Sequence, residues 1–403
     1  MITESYFFTT SRGSTERDHG IRPLIASPTV LGTPASPQTT TQRKSRRKIS
    51  WDVVRVGCVT LIMLYHATFL SVDLHPELEP RTFVFPYEVG ASLLLVISAY
   101  FACVTIGRGT VLRYWWSRIA RLVPPFIGAV LVIFLVMRLA AVDDWFLPDG
   151  SDLAAHLLML WHWKPEDYYF LDGSHWTVPL QLMGFTAAAV LYKSRWGRSH
   201  RITVVLWTAV LLPMLQWPLR ISDPSELYRM LIDGFGFHRW HLFVAGVAIW
   251  MWSSKRLTTP HFLGLLATCM SAQALHNHEV TPEGLTADWG STIAVCIGLV
   301  VVALTARGPD WNKVVPDWAN RPIQWYAGIS YGVFLMHQTI GYIVSRRLQD
   351  LGAGATLQTL AMLTTGVLLG WLLTRIVEQP AHRALMDAYD RVHTRWHTAS
   401  PKG

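Results

Sequence analysis

Three groups of residues in this chain could do chemistry. In the first, Asp52, Arg55 and His66 share one apolar run. Arg55 and His66 are 11 positions apart, almost three helical turns, which puts them on one helix face about 16 Å apart along the axis. Asp52 precedes Arg55 by three and shares that face. An imidazole can take or give a proton near neutral pH, so His66, deep in an apolar run, is a candidate general base. Asp52 and Arg55 have a plainer use as an ion pair snorkelling at a membrane surface. In the second group, Arg118 and Arg121 stand three apart, close to Arg113 and just before Pro124 and Pro125. Guanidinium forks suit bidentate phosphate binding; the alternative is an ordinary surplus of cations at one membrane face. The third group is the run Ser330, Tyr331 to His337, whose ends are seven residues apart and nearly two turns up one face. Alone, His337 would be polar glue between helices; paired with His66, it marks a polar cavity.

The elements that position these groups follow from composition. Of 403 residues, 51% are hydrophobic and 15% charged, against roughly 25% charged in soluble domains, and the mean hydropathy is +0.27. The polar surface is too small for a water-facing shell, so the chain belongs in lipid. The net charge of +8 sits in short blocks between apolar runs rather than in one patch with interleaved aromatics, which fits membrane topology and excludes a nucleic-acid partner. Cys58, Cys103, Cys269 and Cys296 lie far apart in apolar runs, so neither a disulfide framework nor a metal site is expected.

Apolar segments recur over Trp51–Val72, Pro86–Ile106, Val123–Val142, Trp176–Tyr192, Ile202–Leu219, Phe237–Trp252, His261–Leu275, Trp289–Ala306, Ile323–Val344 and Thr356–Val377. The expected fold is therefore all-α, a polytopic membrane protein of about ten transmembrane helices. Alternating loops hold most of the Lys and Arg, which puts both termini in the cytoplasm; Arg346 and Arg347 fall on the poorer side. Residues 1–48 read as a disordered basic cytoplasmic tail, 49–380 as the transmembrane domain and 381–403 as a second cytoplasmic tail.

At these residues the chain resembles the acyltransferase 3 family, membrane enzymes that move acyl groups onto cell-surface sugars and related molecules. The resemblance rests on four ordered motifs: Asp52, Arg55 and His66; Arg118 and Arg121 before Pro124 and Pro125; Ser330 and Tyr331 before His337; and Glu378, Gln379, Pro380 closing the last span. Two positions depart from the family pattern. Ser98-Ala99-Tyr100 stands where Ser-Gly-Phe is frequent, and Trp176-Thr177-Val178-Pro179-Leu180-Gln181 carries an amide where relatives carry an acid. Gln181 is then expected to position groups through hydrogen bonds.

The resemblance implies an O-acyltransferase of the cell membrane. Its donor substrate would be cytoplasmic acyl-CoA, commonly acetyl-CoA, and its acceptor a hydroxyl of a glycan or glycolipid, with no permanently bound cofactor. Arg118 and Arg121 would hold donor phosphates, with Arg55 extending the cationic surface inward. His66 would deprotonate the acceptor, and His337 or Ser98 would donate to the oxyanion. Trp176, with other Trp residues of the outer segments, could stack on sugar rings. The sequence ends soon after Pro380, so the expected form is the stand-alone one, with any second transfer step left to a separate envelope-biosynthesis partner. The competing class is a secondary transporter using the buried Arg and His residues, although neither inverted halves nor paired Gly/Pro-broken spans are visible.

Overall fold

The computed structural model describes residues 48–399 except 141, 144, 165–166, 223–224 and 282–283. The expected N-terminal tail, apart from Lys48, lies outside the described residues.

The described chain is helical. In order it comprises α1 (Ile49–Tyr65), a π-helical turn (His66–Leu70), α2 (Ser71–Leu74), α3 (Gly90–Ile106), α4 (Val111–Leu139), α5 (Gly150–Leu157) and α6 (Thr177–Lys193). It continues through α7 (Ile202–Leu215), α8 (Trp217–Ile221), α9 (Glu226–Gly234), α10 (Trp240–Ser253) and α11 (Thr259–His276). An antiparallel hairpin, β1 (His278–Thr281) and β2 (Gly284–Ala287), pairs His278 with Ala287 and Thr281 with Gly284. The chain closes with α12 (Trp289–Arg307), α13 (Asp317–Met336), α14 (Thr339–Asp350), α15 (Ala355–Leu373), a second π-helical turn (Thr374–Glu378) and α16 (Gln379–Ala399).

Among the described residues, five helical stretches are long and apolar enough to cross a membrane: Ile49–Leu74, Val111–Leu139, Ile202–Ile221, Trp289–Arg307 and Ala355–Thr394. The other expected spans are helices that are shorter or less apolar. With 14 residues, α10 reaches about 21 Å, less than the roughly 30 Å of a bilayer core.

Three differences from the sequence reading have local causes. The third span begins a dozen residues earlier than Val123, because α4 runs unbroken from Val111 through Pro124 and Pro125. Thr110 caps it by accepting from the Arg113 amide. The arginine motif is thus helical, and the prolines leave the Ala120 and Arg121 carbonyls without an intrahelical donor. The ninth span, expected as continuous over Ile323–Val344, breaks at His337 and Gln338 into α13 and α14. Arg346 and Arg347 therefore sit on a separate helix, where both reach Asp350, at 3.1 and 3.6 Å. Finally, residues 381–399, expected as a tail, continue α16. That helix is held to α4 by Arg113 on Asp390, at 3.1 and 3.0 Å, and by Trp116 Nε1 donating to the Leu385 carbonyl.

The apolar interior divides into two large clusters. One gathers α3, α7, α10, α11 and α12 around Leu95, Leu242 and Leu265; the other gathers α4, α13 and α14 around Phe126, Ile133 and Leu335. Leu94 and Trp176 pack against both. The polar side chains discussed next lie along this seam.

Candidate active site

His66 starts the π-helical turn after α1, and His337 follows the last residue of α13. His66 Nδ1 and His337 Nε2 are 2.7 Å apart. The ring planes agree within 5° with centroids 4.8 Å apart, so the imidazoles meet edge to edge, the geometry of an in-plane hydrogen bond. The direction of that bond follows from its neighbour. His337 Nδ1 lies 2.9 Å from the Phe334 carbonyl oxygen. A carbonyl can only accept, so His337 Nδ1 carries the proton and, in a neutral ring, its Nε2 is an acceptor. His66 must then donate from Nδ1, which leaves its own lone pair on Nε2. The Phe334 carbonyl thus fixes both tautomers and makes His66 Nε2 the basic atom of the pair.

The break after α13 is built by the segment before α6. His175 Nε2 donates to the Leu335 carbonyl at 3.0 Å, and the Thr339 amide donates to Asp172 Oδ2 at 3.1 Å. Asp172 Oδ1 accepts from the Ser174 amide and hydroxyl at 2.9 and 2.5 Å. Side chains have taken carbonyls and an amide that would otherwise continue the helix. Gly366 of α15 gives His337 its space: a Cβ there would lie 2.8 Å from His337 Cβ and 3.0 Å from Met63 Cε.

Three cavities follow the seam. A cleft of about 430 Å³ is lined by Arg108, Arg113, Arg118, Arg121, Glu378 and His382, with Thr105, Tyr114 and Ser117 among its other walls. A central cavity of about 110 Å³ is walled in turn by Arg118 and Arg121, and also by Arg55, Ser98, Phe101, Thr177, Gln181, Ser330, Tyr331 and Phe334. A third, of about 20 Å³, is lined by His66, Tyr65, Glu88, Ser174, Trp176 and Phe334. The first two share the arginine pair, whereas the last two share Phe334. The polar cavity expected at His66 and His337 is therefore two chambers that share Phe334 as a wall, and His66 opens onto the smaller.

Each side chain singled out from sequence can now be placed. Arg118 Nη2 donates to Thr105 Oγ1 at 2.5 Å, and its guanidinium lies over Tyr114 and Phe185 at 5.3 and 5.2 Å. Arg121 is 3.6 Å from Glu378, which also accepts from Thr374 Oγ1 at 3.1 Å. Arg55 lies over Phe101 at 5.9 Å. Ser98 Oγ donates to Gln181 Oε1 over a long 3.5 Å. Ser330 and Tyr331 line the cavity, but their hydroxyls donate to the Ala327 and Leu122 carbonyls at 2.9 and 3.0 Å. Trp176 carries the Arg239 guanidinium 3.7 Å above its ring, and Arg239 reaches Glu88 at 3.8 Å.

Two expectations change. Asp52 is buried at the first turn of α1 and lines none of these cavities. His337 is unavailable as an oxyanion donor, because both ring nitrogens are engaged, by His66 and by Phe334. Sequence reasoning also passed over Phe334, Asp172, Ser174 and His175. Only the Trp176 motif next to them pointed to that segment.

Over residues 48–375 the chain matches the sequence model of acyltransferase 3, described as an acyltransferase domain. The chain belongs to the acyltransferase 3 family. Neither a curated protein nor a solved structure matches it. The family assignment makes this membrane protein an acyltransferase and sets aside the transporter reading.

Proposed function

We propose that this acyltransferase moves an acyl group, acetyl above all, from cytoplasmic acyl-CoA to a hydroxyl of an extracytoplasmic or membrane-embedded glycan or glycolipid. In this reading about ten helices cross the cell membrane, both termini are cytoplasmic, and the arginine-lined cleft faces the cytoplasm. The observation that carries the proposal is the run of shared walls from that cleft, through Arg118 and Arg121, to Phe334 and the chamber of His66.

The donor's phosphates meet Arg108, Arg113, Arg118 and Arg121, where charge-assisted bonds are strongest. Its thioester arm enters the central cavity towards Phe334. His66 Nε2 removes the acceptor's hydroxyl proton as the oxygen attacks the thioester carbonyl carbon. The C–S bond breaks, and the leaving thiolate takes the same proton back from His66. Throughout, His66 Nδ1–H stays bonded to His337, which holds the ring's orientation. Ser98, held by a long bond to Gln181, is a cavity hydroxyl able to turn towards the oxyanion. Trp176 and Glu88 offer the acceptor a ring face and a carboxylate beside His66.

The test is purified enzyme in liposomes of envelope lipid supplied with radiolabelled acetyl-CoA. Label should pass to a lipid or glycan fraction with wild type, and fall by about 10²–10⁴ with His66→Ala. Near-normal transfer by that variant would remove the base assignment.

A further inference from the structure

Asp172 is buried to 1% exposure. Carboxylates are seldom buried so deeply unless a cation pairs with them. Among the described residues no Lys or Arg does so. Its partners are instead two amides, of Ser174 and Thr339, and the Ser174 hydroxyl. These satisfy the oxygens without cancelling the charge. The two amides open the 3₁₀ turn Gly173–Trp176 and α14, and helix starts favour a negative group. The carboxylate is therefore fixed in place by two elements, and Thr339, whose amide it holds, follows His337 by two residues.

We propose that Asp172 is a positioning residue for the acyltransferase, the fixed negative charge that stabilises the imidazolium formed on the His66–His337 pair when His66 accepts a proton. The inference rests on the base role proposed for His66. When His66 Nε2 gains its proton, the positive charge is shared through Nδ1–H to His337, whose Nδ1 is bonded to the Phe334 carbonyl. A carbonyl cannot neutralise a charge. Asp172 is the buried anion bound to the chain two residues past His337. The Ser174 hydroxyl, whose proton goes to Asp172, also lies 3.1 Å from the Phe334 oxygen, so the segment that carries the charge packs against the carbonyl that sets the tautomers.

Other groups around the pair do not replace it. From the 172–176 segment the second titratable group is His175, whose Nε2 is committed to the Leu335 carbonyl. From α14 comes the Tyr342 phenol, and from α1 the Tyr65 ring, 5.4 Å from His66. Across the third cavity stands Glu88, already facing Arg239. What α15 places against His337 is Gly366.

The experiment follows deuterium exchange at imidazole C2 by mass spectrometry, peptide by peptide, in the full-length purified protein. The pH midpoint of that exchange reports protonation of His66 and His337 without needing any acceptor. Asp172→Asn should move the midpoint about one pH unit lower, a tenfold loss of proton affinity. Ser174→Ala, which keeps the carboxylate, should leave it in place. If Asp172→Asn does not fold, Asp172→Ser, which retains a polar cap for Thr339, is read in the same way. An unmoved midpoint in the folded variant would reduce Asp172 to a helix cap, and a wild-type pair that stays unprotonated down to about pH 4 would equally overturn the proposal. Because this readout needs no turnover, it can fail while His66→Ala still abolishes transfer, and it can succeed while that base assignment fails.

Discussion

Replacing His337 tests the imidazole pair most directly. His337→Leu keeps an apolar side chain against Gly366 but removes the acceptor of His66 Nδ1–H. A buried donor left without a partner costs about 1–3 kcal/mol. Part of that cost falls equally on resting enzyme and transition state and leaves the rate alone. The remainder arises because the bond strengthens once His66 is protonated; a charge-assisted bond is roughly twice as strong as a neutral one. The freed ring can also move its proton to Nε2, the position needed for catalysis, which adds to the loss. Together these give a fall in kcat of about 10- to 100-fold, or roughly 1.4–2.8 kcal/mol. His337→Gln should recover part of it, since its amide oxygen can accept where Nε2 did. The assay is acetyl-CoA turnover by purified enzyme over a matrix of wild type, His66→Ala, His337→Leu and the double variant. If the two rings act as one unit, the double variant will be no slower than His66→Ala alone. Multiplicative losses, or near-normal turnover by His337→Leu, would refute the coupling.

Other perturbations address the remaining parts of the site. Arg118→Ala with Arg121→Ala removes the cations shared by the cleft and the central cavity; each charge-assisted contact is worth about 1.5–3 kcal/mol, so KM for acetyl-CoA should rise at least tenfold. KM for acceptor should hold, and an unchanged donor KM would return the pair to a topological role. Phe334→Ala should join the two chambers, lower stability by about 3–5 kcal/mol in thermal unfolding, and raise the ratio of thioester hydrolysis to transfer; a constant ratio would make Phe334 packing alone. Gly366→Ala places a methyl 2.8 Å from His337 Cβ. Overpacking of this kind costs about 1–3 kcal/mol, and the expected signature is a kcat loss that His66→Ala makes irrelevant in the double variant.

Much of the site was legible because it obeys helical spacing. Arg55 and His66 do face the bundle interior, Arg118 and Arg121 do face one cavity, and Ser330 and Tyr331 do line it. Spacing could not give the hydroxyl partners of Ser330 and Tyr331, which are backbone carbonyls. Nor could it reveal the break at His337. The run Ser330 to His337 reads as a helix by every local criterion, and what ends it comes from Asp172 and His175, about 160 positions earlier. The two π-helical turns were equally hidden, although one begins at His66 and the other ends at Glu378. Such turns add a residue to the register and often accompany function, yet no residue type announces them. Asp52 shows the reverse error: it keeps the expected helix face but sits too near the end of α1 to reach a cavity.

The break and the base pair have a common origin in the solvent. A helix that ends in a buried interior leaves amides and carbonyls that water cannot reach, so protein groups must satisfy them. Here the Phe334 carbonyl receives His337 Nδ1–H, the Leu335 carbonyl receives His175 Nε2–H, and the Thr339 amide finds Asp172. An imidazole that donates one nitrogen to a carbonyl must present the other as an acceptor. Closing the helix end therefore determines the tautomer of His337, and with it the direction of the bond to His66. A serine or asparagine in place of His337 could satisfy the same carbonyl, but it would not pass on a directed acceptor in the plane of the His66 ring. The orientation proposed for catalysis thus follows from the hydrogen-bonding requirement of a buried helix end.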